Sequence, residues 1–268
     1  MPPTPRAELS GATRVIFIVG DPIAQVKSPA GVTEMLRARG ADSIVVPAHV
    51  APPDLVAWTN AVGTMHNCDG IIVTVPHKFA ALALCRDLCN AARSIGAVNV
   101  MRRRADGAWS GDMLDGAGYV AGLRRAGCEP AGMKALLVGA GGAGSAIAHA
   151  LVDAGIASLA LHDTEETRRD ELARKLAGYG PVRATRGSSD PGGFDLVINA
   201  SPLGMQPGDP LPIDVGHLAA TTFVGDVVTL PPLTPLIAAA RARGCATMTG
   251  IGMFEAVRDR MVEFFLEP

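Results

Sequence analysis

The run Gly70-Ile-Ile-Val-Thr-Val-Pro-His-Lys78 puts an amine where chemistry can use one. An apolar strand runs out into Pro76, which ends sheet pairing, and Lys78 follows at the strand's carboxyl end. A lysine there, facing a cleft, can hydrogen-bond a substrate oxygen and exchange a proton with it. On this motif alone, a solvated lysine at a helix start is an equal reading. Ser94-Ile-Gly-Ala-Val-Asn99 adds an amide at the end of another short strand. Ser110-Gly-Asp-Met-Leu-Asp115 adds a carboxylate just before a predicted helix, where Asp115 reads alternatively as an N-cap. Together, the amine and the carboxylate would share the proton that an oxidised hydroxyl must lose.

The second chemical signal is Ala135-Leu-Leu-Val-Gly-Ala-Gly-Gly-Ala-Gly144, an apolar run that stops at a GxGxxG cluster before a helix-like segment. Gly139 suits a tight turn out of the strand, Gly141 lets the backbone approach a pyrophosphate, and Gly144 lets the helix pack closely. The helix N-terminus then presents unpaired N–H groups to the phosphates. The next apolar run, Ser158-Leu-Ala-Leu-His-Asp163, ends in a carboxylate 19 residues after Gly144, where such a unit binds the adenosine ribose. Asp163 would accept hydrogen bonds from both ribose hydroxyls and repel a 2′-phosphate, which predicts NAD rather than NADP. Arg168 and Arg169 read as solvated charges on the first turns of the following helix.

The elements that must position these groups alternate strand and helix, the pattern of a parallel α/β sheet. Strands are predicted at 14–19, 43–46 and 70–75, with helical segments beginning near Ser28 and Pro53. A hairpin-like stretch spans 97–110 around Asp106-Gly107. Further strands are predicted near 135–138, 158–162, 182–185, 195–198 and 223–227. From Phe254 onward the spacing of Phe254, Val257, Met261 and Phe264 predicts an amphipathic helix that packs back on the first domain. The expected architecture is an N-terminal α/β substrate domain (1–114 with 250–268) and a Rossmann doubly wound dinucleotide domain (115–249).

With 268 residues the chain can bury two modest cores. Its net charge of −2, with no basic run longer than Arg102 to Arg104, predicts a small-molecule partner rather than nucleic acid or a membrane. The beginning Met1-Pro-Pro-Thr-Pro-Arg-Ala-Glu lacks the apolar core of a signal peptide, so a cytoplasmic location is expected. The five cysteines include no CxxC, which argues against a disulfide framework; Cys85 and Cys89 read as buried thiols sharing a helix face rather than as metal ligands. No metal is expected, and a homodimer stays open.

Taken in order, these segments resemble the shikimate dehydrogenase family over nearly the whole chain. Its opening GxPIxHSxSP is similar to Gly20-Asp-Pro-Ile-Ala-Gln-Val-Lys-Ser-Pro29, NVTxPxK to Ile72-Val-Thr-Val-Pro-His-Lys78, and IGAVNT to Ile95-Gly-Ala-Val-Asn-Val100. NTDG is matched in part by Met113-Leu-Asp-Gly116, and NATxxGM resembles Asn199-Ala-Ser-Pro-Leu-Gly-Met205. DxxYxPxxTP resembles the stretch from Asp226 to Pro235, and GxxMLxxQ that from Gly250 to Val257. The resemblance implies hydride transfer between a nicotinamide and a ring carbinol, with Lys78 and Asp115 as the catalytic pair. It implies Ser28, Thr74, Asn99, Val26, Thr229 and Val257 at substrate positions. It further implies cofactor contacts from Gly139, Ala140, Gly141, Gly142, Ala143, His162, Asp163, Thr164, Asn199, Ala200, Ser201, Met205, Val227, Gly250 and Met253.

The departures from the family pattern run one way. Gln25 and Val26 stand for a His-Ser pair, Ile72 for an asparagine, Met113 and Leu114 for Asn-Thr, Thr229 for a tyrosine, and Val257 for a glutamine. Each polar substrate group left without a partner costs about 1–3 kcal/mol, so shikimate, with a carboxylate and three hydroxyls, is expected to be a poor substrate. A cyclic hydroxy acid or cyclitol with fewer polar groups fits better. A low-efficiency shikimate or quinate dehydrogenase stays open, with Lys27 reaching the carboxylate, as does a dinucleotide-binding sensor without chemistry. His162-Asp163-Thr164 replaces the family's Asn-Arg-Thr, which again points to NAD.

Overall fold

Two six-stranded sheets carry the chain. The structure, a computed structural model, describes residues 9–267, so the opening eight residues lie outside it. The first half runs β1 (Arg14–Gly20), α1 (Ser28–Ala38), β2 (Ser43–His49), α2 (Leu55–Val62), β3 (Cys68–Val73), β4 (Asp87–Leu88), α3 (Asn90–Ile95), β5 (Val100–Arg103) and β6 (Trp109–Asp112). The second half runs α4 (Asp115–Arg125), β7 (Lys134–Val138), α5 (Gly142–Asp153), β8 (Ser158–His162), α6 (Glu166–Ala177), β9 (Ala184–Arg186), β10 (Leu196–Asn199), β11 (Phe223–Asp226), α7 (Pro235–Ala242), β12 (Thr247–Met248) and α8 (Gly250–Leu266).

The first sheet is mixed, in the order β2-β1-β3-β5-β6-β4. β1 pairs in parallel with β2 and β3, whereas β5 runs antiparallel to both β3 and β6. The hairpin expected around Asp106-Gly107 is the β5–β6 connection, with Gly107 at φ +83°. The second sheet is parallel, in the order β9-β8-β7-β10-β11-β12. That is the doubly wound order, and the direction in which successive strands are added reverses between β7 and β10, the point where such sheets open a crevice for ligands.

Three local expectations are corrected. β3 ends at Val73 rather than Val75, because Thr74 already bonds back to Val19 and its carbonyl accepts His77 N–H in a turn. α8 begins at Gly250, ahead of the apolar spacing that starts at Phe254, because the Thr249 hydroxyl caps it by accepting from Gly252 N–H. Cys85 and Cys89 do not share a helix: β4 separates them, and Cys89 is the N-cap of α3, its sulfur accepting from Ala92 N–H at 3.2 Å.

α4 is the joint between the two halves. It packs against α5 on one side and α8 on the other, and α8 also lies against α1 and β5. Glycine makes the close crossing feasible: a Cβ on Gly116 would overlap the Ala146 carbonyl of α5, and one on Gly118 would overlap Val257 of α8. The main core is continuous across this joint, joining Ile16, Val32 and Ile72 to Tyr119, Leu137, Ile147 and Val257. No described helix is long and apolar enough to cross a membrane.

Candidate active site

Lys78 and Asp115 meet at this joint. Lys78 leaves the turn after β3, and its carbonyl accepts Val98 N–H at 3.0 Å, which anchors the backbone beneath the amine. Asp115 is the first residue of α4; the N-cap is Leu114, so the capping reading of Asp115 does not hold. Freed from that role, the carboxylate still gains from the positive end of the α4 dipole. Lys78 Nζ donates to Asp115 Oδ2 at 2.5 Å, and Asn99 Nδ2 donates to Asp115 Oδ1 at 2.6 Å. The side chains of Lys78 and Asp115 are only 12% and 8% exposed, so the solvated-lysine reading does not hold either. A buried ion pair is tolerated when its remaining hydrogen-bonding capacity is met, and Asn99 meets it on the acid.

The dinucleotide side lies directly beneath. Gly139 has φ +102° and donates to His162 O at 2.8 Å, and a Cβ on Gly144 would overlap the Gly139 carbonyl. Gly141 is the N-cap of α5, with open space where a side chain would stand. These residues fit a dinucleotide pyrophosphate: backbone N–H groups at a helix start, with no Cβ in the way. A Cβ on Gly142, the first residue of α5, would lie 3.2 Å from Lys78 Cδ, so the lysine stem runs along this helix start.

Asp163 is 8% exposed, and both its oxygens already bind backbone. Oδ2 accepts Ala140 N–H at 2.7 Å and Oδ1 accepts Glu165 N–H at 2.8 Å. The carboxylate therefore shapes the glycine loop while keeping two lone pairs free for ribose hydroxyls. Arg168 stands 4.0 Å from it, held by Glu165 at 2.8 Å. Thr164 is exposed, whereas Ala143 and His162 are half-buried. Arg169 is buried rather than solvated; it pairs with Asp170, and one of its nitrogens, Nη2, has no partner among the described residues.

Asn199 has no capacity left for a ligand. Its Nδ2 donates to Leu203 O and Asp226 Oδ1, and its Oδ1 accepts from Ser201 N–H and Ser201 Oγ. It is a strut that shapes the loop carrying Ala200, Ser201 and Met205. Asp226, fully buried, ties the same loop to the next: it also accepts from Val228 N–H at 3.0 Å and Thr234 Oγ1 at 2.6 Å. Burial pushes the Asp226 carboxyl above its ordinary value, against these hydrogen bonds from Thr234, Val228 and Asn199. Val227 N–H donates to Asn199 O at 3.1 Å. Gly250 presses on the Val228 carbonyl at the start of α8, and Met253, one turn on, is buried.

The residues predicted at substrate positions divide into polar and apolar groups. Ser28, the first residue of α1, is buried; Thr74 is half-buried beside Gly20; Asn99 is engaged with Asp115. Opposite in character, Val26 packs on the main core, Ile72 is 2% exposed and Val257 is 4% exposed against Gly118, whereas the polar Thr229 is half-exposed. Gln25 turns its amide to Pro22 O at 2.9 Å, back into its own loop. The sequence reading missed His77, whose buried ring donates from Nε2 to Val50 O at 2.8 Å and so braces the turn before Lys78. Only its place beside Lys78 could have drawn attention to it.

An amine and an acid sealed above the phosphate-binding end of a doubly wound sheet define a dinucleotide-dependent oxidoreductase. Comparison with known proteins narrows this class. The family model for the shikimate dehydrogenase substrate binding domain matches residues 18–101. The shikimate dehydrogenase (NADP(+)) of Acidiphilium cryptum is 39% identical over 245 residues, 91% of this chain and 87% of that protein. The chain belongs to the shikimate dehydrogenase family. Among solved structures, ligand-free 5-ketofructose reductase of Gluconobacter sp. strain CHM43 has a TM-score of 0.84 and 30% identity, covering 95% of this chain and 93% of that one. Quinate dehydrogenase from Corynebacterium glutamicum in complex with NAD has a TM-score of 0.85 and 28% identity, covering 95% and 94%.

Proposed function

We propose that this chain is an NAD-dependent dehydrogenase acting on a ring carbinol of a cyclic hydroxy acid or cyclitol other than shikimate. The observation that carries the reading is the Lys78–Asp115 pair at 2.5 Å, beside the start of α5. The bound dinucleotide would supply the two-electron acceptor or donor, held by the N–H groups around Gly141 and the ribose-facing side of Asp163. Lys78 Nζ would hydrogen-bond the reacting oxygen. In oxidation the pair takes up the hydroxyl proton, Lys78 Nζ accepting it as it passes one of its own to Asp115 Oδ2; in reduction the relay runs in reverse and the ammonium gives a proton to the carbonyl oxygen. Asn99 keeps Asp115 oriented throughout. A sensor without chemistry has no use for such a pair.

Residues up to 114 with 250 onward form the substrate unit in this reading, and 115–249 the dinucleotide unit. The packing of α8 on α1 supports it. Against shikimate stand the apolar side chains of Val26, Ile72 and Val257, which offer nothing to a carboxylate or hydroxyl. That a relative 30% identical reduces 5-ketofructose supports a changed substrate wall on the same frame. NAD over NADP rests on Asp163, whose charge opposes a 2′-phosphate; the curated relative named for NADP(+) makes this the point to test first. The experiment is turnover of a panel of ring acids, cyclitols and keto sugars, shikimate and quinate included, with each dinucleotide. Higher kcat/KM for NAD, with shikimate among the poorest substrates, is the expected result. Preference for NADP, or shikimate as the best substrate, overturns the corresponding half.

A further inference from the structure

We propose that Lys175 is a positioning residue that ties helix α6 of the dinucleotide half to the segment bearing the catalytic pair; this rests on the reading of Lys78 and Asp115 above. Lys175 Nζ donates to Ile95 O at 3.0 Å and lies 5.7 Å from the centroid of the Phe79 ring. Both partners belong to the first half of the chain. Glu171 sits four residues earlier on α6, the usual spacing for a helical ion pair, yet the ammonium is directed to Ile95 instead.

The contact is chemically apt. Ile95 is the last residue of α3, where carbonyls lack intrahelical donors and the helix dipole is negative. Gly96 turns the chain there with φ +79°, and a Cβ on it would stand 3.2 Å from Nζ, so the cation is seated against the turn itself. From Gly96 the chain runs straight to the site: Val98 N–H holds Lys78 O at 3.0 Å and Asn99 holds Asp115 at 2.6 Å. Phe79, the other contact, directly follows Lys78. Lys175 thus grips the catalytic lysine's neighbourhood from both sides.

At its other end α6 starts just beyond Asp163 and Glu165, whose N–H is bonded to Asp163. A ligand that orders the Asp163 end of α6 therefore meets, through one rigid helix, a contact that orders the Gly96–Asn99 segment. The two events reinforce each other, and removing the contact weakens both.

Lys175→Met keeps the apolar stem over Phe79 and removes the cation. In this variant the dissociation constant for the dinucleotide, read by calorimetry, should rise about fivefold or more. Hydrogen exchange of the amides at 96–99 should accelerate by a similar factor of about five, with exchange in β7 and the melting temperature unchanged. Lys175→Arg, which retains the cation, should return both values to within about twofold of the parent. Either readout staying within about twofold of the parent in Lys175→Met, or failure of the arginine variant to restore them, overturns the proposal. Neither measurement needs a substrate, so a failure of the proposed reaction would leave this test intact.

Discussion

Asn99 grips Asp115 from two directions. Its Nδ2 donates to the carboxylate at 2.6 Å, while its own Oδ1 accepts the N–H of Leu114, the preceding residue, at 2.8 Å. The acid is therefore oriented independently of Lys78, and removing the amine leaves it in place without its counter-ion.

From this, Lys78→Met should lower kcat by about 10²–10⁴ while dinucleotide affinity stays within about threefold. It should also cost about 3 kcal/mol of stability, because a buried carboxylate loses its cation. Adding Asp115→Leu should restore the melting temperature and leave activity lost. Kinetics and thermal unfolding of the single and double variants check this; a single variant with turnover near the parent value rules out Lys78 as the proton carrier.

Cofactor choice should follow Asp163. Asp163→Ser removes the charge proposed to face the ribose and should shift the kcat/KM ratio toward NADP by about tenfold, a change of about 1.4 kcal/mol. It also withdraws acceptors from Ala140 and Glu165 N–H, so affinity for NAD should fall. An unchanged ratio in steady-state assays would show that Asp163 serves the glycine loop alone.

Substrate choice should follow the apolar wall. Ile72→Asn with Val257→Gln returns two amides to buried sites, each costing about 1–3 kcal/mol without a partner. The pair should lower the melting temperature and raise kcat/KM for shikimate about tenfold or more, because the substrate then supplies the missing partners. No gain for shikimate would place its recognition elsewhere in the cleft.

Acid sensitivity should trace to His149 on α5. Its Nδ1 donates to Ser145 O at 2.8 Å, Nε2 has no partner among the described residues, and the ring packs against Tyr179. Burial holds its pKa below the ordinary 6.5, so the unfolded chain takes up the proton first. Stability is then full above pH 6.5 and falls as the pH drops below it, by at most about 1.4 kcal/mol per unit. His149→Phe should flatten that slope in urea titrations between about pH 6.5 and 5. An unaltered slope would assign the effect to other groups.

The frame was legible because strong signals coincide along it: a glycine loop, a carboxylate-ended strand, and apolar runs punctuated by proline or glycine. The meeting of Lys78 with Asp115 was legible for the same reason, each ending a short recognisable stretch. What escaped was tertiary in origin. Asn199 falls on a cofactor position of the family pattern, and only the fold shows that all four of its hydrogen-bond positions are spent within the protein. Lys175 reads as one more charge on a solvated helix, since nothing local reveals that Ile95 will lie 3.0 Å away. α3 escaped because it spans six residues and is capped by a cysteine, outside the usual capping set.

The glycines of α4 carry a wider consequence. Because Gly116 and Gly118 bring α5 and α8 into close contact on opposite flanks of one helix, Asp115, which begins that helix, and Val257, which packs on it, are held by a common spine. Lys78 and Asn99 bond to Asp115 at its first turn, whereas Val257 packs on Gly118. On the proposed reading, drift at Val257 would redraw the range of molecules accepted while the Lys78–Asp115 pair keeps its geometry, so new specificities would be reachable without dismantling that pair.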